Sequence, residues 1–210
     1  AAQASYQQGE HKNFFYNGDM AIVQRATSVS GLGNGDSGYH VQDRYKFAEA
    51  GAPNAVVTMS QSTTAPDGFF HSMKYDCTTA SGTVAAGDLV YFSQIFEGLD
   101  LLHIKKGTAQ ARALTVSFWV NTTKTGTYIV SMYDNDNARS CSQAYTVSSS
   151  DTWEYKTVTF PPDTTGAYDN DNAASLYVHW GLVAGTDWTS GTLATAWQSN
   201  VSADQFTGQV

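Results

Sequence analysis

Apolar and polar positions alternate with a period of two wherever a pattern can be read, which is the pleat of a half-buried strand. Leu114, Val116, Phe118 and Val120 fall on one side, with Thr115, Ser117, Trp119 and Asn121 on the other. Leu176, Val178, Trp180 and Leu182 alternate in the same way with Ser175, Tyr177, His179 and Gly181. Further strands are predicted near 13–25, 39–47, 54–61, 68–77, 88–97, 126–133, 143–147 and 153–160. The stretches between them carry Gly31-Leu32-Gly33-Asn34-Gly35, Pro66-Asp67-Gly68, Lys124-Thr125-Gly126 and Pro161-Pro162-Asp163, residue types that supply the angles and local hydrogen bonds of a turn. A short helix is readable only around Arg44–Ala50, and a strand fits there equally. About nine or ten short strands at this spacing predict an all-β, antiparallel β-sandwich or jelly roll with little helix. No Pro-, Ser- or Gly-rich linker divides the chain after about residue 12, so residues 1–12 read as an extended segment or linker and 13–210 as one domain.

Composition narrows the class. Ser and Thr fill 44 of 210 positions and aromatic rings 27, against 30 charged residues. That inventory favours strands and is the reverse of a disordered chain. The net charge of −8 argues against a nucleic-acid groove, which needs a basic face. Only Lys105, Lys106 and Arg112 approach a basic cluster, and Glu97 and Asp100 lie beside them. No apolar run approaches the ~18 residues of a membrane span, so membrane insertion is not expected. The opening Ala1-Ala2-Gln3 reads as a processed or excised start. Cys77 and Cys141 are too few for a disulfide scaffold or a zinc site; a single bridge and two free thiols both remain open.

Few residues suggest catalysis. Gly35-Asp36-Ser37-Gly38 matches a serine-protease string, but only His11 and Asp19 precede it, and a glycine-rich loop accounts for it. A glycosidase needs facing carboxylates; Asp43 and Glu97 lie in strand-like segments, where Arg25 and Arg44 are their natural partners in structural ion pairs. The histidines (His11, His40, His71, His103, His179) lack metal-ligand spacing. Tyr-Asp-Asn-Asp-Asn occurs at 133–137 and again at 168–172. Asp134, Asp136, Asp169 and Asp171 could offer hard oxygens to calcium, or serve as ordinary Asx turn residues. No cofactor is required by this inventory, and calcium is the one it could use. The remaining signal is aromatic. Trp119, Tyr177, His179, Tyr133 and Tyr91, with Glu97, fall on the polar sides of their strands among Ser, Thr and Asn. Rings amid hydroxyls suit a sugar, whose C–H face stacks while its hydroxyls find partners.

Asn17-Gly18-Asp19-Met20, Gln24-Arg25 and Asp43-Arg44-Tyr45 open a series of strings that continues with Ser93-Gln94-Ile95-Phe96-Glu97 and Leu114-Thr115-Val116-Ser117-Phe118-Trp119-Val120. Gly126-Thr127-Tyr128 and Thr152-Trp153-Glu154-Tyr155-Lys156-Thr157-Val158 complete it. Over about residues 13–210 the series resembles β-sandwich domains of bacteriophage tail-fibre and appendage proteins. These are in turn similar to the galactose-binding-like jelly rolls of carbohydrate-binding modules. The resemblance implies a non-enzymatic, homo-oligomeric virion module that contacts surface polysaccharide and other virion subunits. Its rivals are a purely structural assembly protein and a secreted accessory module of a polysaccharide-degrading enzyme. Ala21 stands where such modules often carry a calcium-holding Glu. The pattern's usual final strand is not reached after Thr207-Gly208-Gln209-Val210, which would leave an edge open to pairing.

Overall fold

A computed structural model describes residues 13–51 and 53–210; the segment 1–12 and its Gln3, Gln7 and Gln8 lie outside the described residues. The strands are β1 (Ser28–Gly33), β2 (Ser37–Gly38), β3 (Tyr45–Ala50), β4 (Val56–Ser62), β5 (Ser72–Thr79) and β6 (Leu89–Glu97). They continue as β7 (Leu114–Val120), β8 (Gly126–Asp134), β9 (Arg139–Val147), β10 (Glu154–Phe160), β11 (Ala174–Ala184) and β12 (Gln198–Ser199). Helix is confined to α1 (Gly98–Leu101), α2 (Thr186–Thr189) and two 3-10 turns. Three sheets result: seven strands in the order β12-β9-β8-β11-β6-β3-β2, three as β1-β4-β5, and the ribbon β10-β7. Every pairing is antiparallel, so the chain is the predicted all-β sandwich.

Local chemistry explains where strand boundaries differ from the pattern. Residues 13–25 form turns instead of a strand: Asn17 and Met20 have φ of 52° and 59°. The Asn17 side chain also accepts from the Ile22 amide at 2.8 Å and donates to its carbonyl at 2.9 Å. Such an Asx clamp satisfies the backbone locally and removes the incentive to pair. The strand expected from residue 39 starts at Tyr45, after Arg44 at φ 73°, and the ambiguous stretch that follows is strand. Gly31–Gly33, expected in a turn, extends β1 through a register shift between Val29 and Leu32.

The sandwich has one large layer covered by two small ones. The ribbon sets Val116, Phe118, Val158 and Phe160 against Met132, Val178 and Trp180 of the seven-stranded sheet. The three-stranded sheet sets Leu32, Val57 and Met59 against Phe47 and Val90. The two cores meet at Phe92, stacked 5.0 Å from Trp180 and 5.3 Å from Tyr75. On the outer face of the large sheet, Trp188, Leu193 and Phe206 of the last 25 or so residues cover Leu89 and Ile129. A β-carbon at Gly181 would fall 2.7 Å from the Phe206 ring, so only glycine allows this close approach. Val210 donates its amide to Thr127, and Gln209 accepts from Ile129, so the final residues themselves occupy free backbone groups of β8.

Charge is handled in two ways. Lys106, one of the three residues that approach a basic cluster in the sequence, is buried: Nζ lies 2.6 Å from Asp134 and 3.2 Å from Asp163 and also donates to the Thr165 and Gly166 carbonyls. Arg139 forks onto Asp163 at 2.8 and 3.1 Å. Arg25 and Asp43 do pair, at 3.1 Å, but the arginine side chain is 54% exposed, whereas Arg44 lies over the Tyr16 ring. Exposed pairs contribute little, so Arg25→Ala should cost less than about 1 kcal/mol of unfolding free energy in a denaturant titration; a larger drop would show the pair to be structural. Cys77 is exposed on β5 and Cys141 buried on β9, both free.

Candidate functional site

Strand register arranges the outer face of the seven-stranded sheet in rows. One row crosses five strands as Lys46, Ser93, His179, Ser131 and Ser142. The row beside it runs Ile95, Tyr177, Tyr133, Ser140 and Gln198. On the other side, Ala48, Tyr91 and Gly181 pass beneath the C-terminal cover. Side chains two residues apart on a strand share a face, so these rows form one surface at the margin of that cover.

At its centre His179 is 9% exposed. Its ring lies 4.6 Å from Tyr91 and 5.8 Å from Tyr177, and Tyr177 is 6.1 Å from Tyr133. The sequence-predicted Tyr91, Tyr133, Tyr177 and His179 therefore come together. Burial, reinforced by the charge of Lys46, pushes the His179 pKa down to about 3, leaving a neutral imidazole. Its Nε2 has no hydrogen-bond partner among the described residues. Burial also raises the pKa of Tyr91 and Tyr177, with Tyr39 and Tyr133 adding to the second, so the phenols stay un-ionised. Ser93, Ser131, Ser140 and Ser142 are buried beneath, Ser142 donating to Ser131 at 3.0 Å. The surface thus offers ring faces, hydroxyl edges and one ammonium, and its three rows contain no carboxylate.

Two predicted members are elsewhere. Trp119 does point to solvent, at 40% exposed, but on the far side of the sandwich, with Tyr155 at 5.3 Å. There it continues a ladder of hydroxyl pairs, Thr115 with Thr159 and Ser117 with Thr157. Glu97 ends β6 opposite Ala174 and leads into α1, one row past Tyr177. Two residues were missed. Lys46 sits between Tyr45 and Phe47, and its alternation alone could have placed it outward. Tyr39 follows β2, with the Arg25 guanidinium 5.8 Å above its ring; no strand pattern marks it.

The repeated acidic loops are structural staples. Asp134 holds Lys106 and accepts from the amides of residues 136 and 137 and from the Asn137 side chain. Asp136 accepts from the Asp169 amide, and Asp171 from the Ala173 amide. Among the described residues no group of three or more His, Cys, Asp or Glu is placed to hold a metal. No protein-family model matches this chain, and neither curated proteins nor solved structures give a match.

Proposed function

We propose that the chain is a non-catalytic glycan-binding module of a phage tail fibre or similar virion appendage, contacting host-surface polysaccharide. The observation that carries the binding part is the cluster of Tyr91 and Tyr177 against a neutral His179 whose Nε2 is unpartnered among the described residues, with Tyr133 beside Tyr177. Such a surface stacks sugar rings and meets their hydroxyls, and without facing carboxylates it lacks what glycoside hydrolysis uses. The virion setting is supported by the sequence resemblance. A shallow sheet-face site removes little surface from water, so one copy binds weakly and linked copies gain avidity.

A glycan array probed with the full chain, with and without a calcium chelator, tests the reading. Tyr177→Ala should weaken the strongest signal by about 1–3 kcal/mol, while Trp119→Ala leaves it unchanged. The reverse result would move the site to the ribbon, and loss of signal in chelator would restore a calcium role. A second reading, subunit assembly without glycan affinity, is favoured by the exposed Trp119–Tyr155 pair and by Phe70, 89% exposed beside Phe69 in the turn before β5. Self-association with a blank array would establish it instead.

A further inference from the structure

We propose that the outer face selects acidic sugars, pairing the carboxylate of a uronate or sialate with Lys46 while the ring lies on Tyr177 and Tyr133. This rests on the glycan-binding reading. At a net charge of −8 the molecule as a whole repels polyanions, so a cation kept for a ligand has to stand out locally.

Lys46 does so. The other strand lysines, Lys74 and Lys156, are each neutralised by an acid two residues away on their own face: Asp76 at 3.1 Å and Glu154 at 2.5 Å. Lys106 and Arg139 are consumed by Asp134 and Asp163, and Arg25 by Asp43. Lys46 has Ala48 as its same-face neighbour along β3, while Arg44, before the strand at φ 73°, lies over the Tyr16 ring. Among the described residues no carboxylate oxygen lies within 4.0 Å of its Nζ. It is half-buried, and its row partners across the sheet are Ser93 and His179. Its charge reaches the imidazole strongly enough to help keep it neutral.

Geometry suits an acidic hexose. The step from β3 across β6 to β11 is about 10 Å, a span that a lysine stem and one sugar ring with its carboxylate cover together. An ammonium acts as a point charge without a fixed fork, so it accepts a carboxylate from either a uronate or a sialate. A charge-assisted hydrogen bond is stronger than any the serines can make. The unpartnered His179 Nε2 is a further polar group for a sugar hydroxyl.

The test uses three immobilised polymers, polygalacturonate, hyaluronate and polysialate, each beside its carboxyl-reduced form. The full chain, Lys46→Gln, Lys46→Arg and Tyr177→Ala are compared, with melting curves confirming that each variant is folded. The expected result is that at least one acidic polymer binds about tenfold more tightly than its reduced form, the size of one charged hydrogen bond. Lys46→Gln should erase that ratio, Lys46→Arg keep it, and Tyr177→Ala weaken both forms. Equal binding of acidic and reduced polymers, lost in Tyr177→Ala, would overturn the acid preference and leave glycan binding standing. Selectivity unchanged in Lys46→Gln would overturn the role of Lys46. Binding to none of the six polymers, with only neutral glycans bound on the array, would also overturn it; a blank array as well would remove both readings.

Discussion

Lys106→Met should lower the unfolding free energy by about 3–5 kcal/mol, because it leaves Asp134 as a buried carboxylate without its cation and Asp163 with Arg139 alone. The lysine side chain is 4% exposed, and those of the two aspartates 0% and 4%, so water cannot take its place. Methionine fills much of the same space beside Tyr168 and Trp197, whose rings lie 5.1 and 5.5 Å from the ammonium, and the loss is therefore one of charge more than of packing. The hub also joins distant segments: Lys106 follows α1, Asp134 ends β8, and Thr165 and Gly166 belong to the loop before β11. A urea titration reads the effect as a fall in midpoint; an unchanged midpoint would mean that the ion network contributes nothing net. The pH dependence has a definite sign. Burial works to raise the Asp163 pKa, but Arg139, the Thr165 amide and Lys106 outweigh it and hold the group below its ordinary 3.8. The associated stability is present above that ordinary value and is lost as pH falls through it toward the depressed folded value.

A second acid effect sets in at milder pH. His179 is neutral in the folded protein down to about pH 3, against an ordinary value of 6.5. The unfolded chain therefore binds a proton that the folded chain refuses. Its contribution is intact above pH 6.5 and erodes as pH falls toward 3, at up to about 1.4 kcal/mol per pH unit. Between pH 6.5 and 5 most carboxylates remain ionised, so the slope there isolates histidine. Unfolding wild type and His179→Gln at pH 7.5, 6 and 5 should show the stability gap shifting in favour of the variant as the medium is acidified. A gap that stays constant over that range would mean that the imidazole is freely protonated in the fold. Since His11, His40, His71 and His103 are present in both proteins, they cancel in the comparison.

Alternation within a strand proved legible where the strand has one dry face. Val116 and Phe118 turned inward, and Trp119, Tyr177 and His179 turned out of the core as their spacing required. What alternation cannot encode is which of two outer surfaces a residue reaches. Trp119 and Tyr177 have the same local pattern, yet one belongs to the ribbon and the other to the large sheet, and the distinction arises only from tertiary pairing. The Arg25–Asp43 pair was readable as a contact, but its exposure was not. Lys106 and Asp134 were unreadable as partners because nothing in a segment dense in Lys, Asp and Glu signals that one cation is withdrawn from water. The apparent strand over 13–25 failed for a local reason: Asn17 outcompetes the ladder for its own backbone.

The strand order of the large sheet governs how the chain can assemble. Its middle strand, β11, lies between β6 and β8, although it is made some 40 residues after β8 and more than 75 after β6. During synthesis those two earlier strands expose facing, unpaired edges until residue 184 has left the ribosome. The Phe92–Trp180 stack that joins the two cores forms no sooner. Folding therefore waits on long-range closure, which is slow, and for that interval the nascent chain carries two edges able to capture strands from its neighbours.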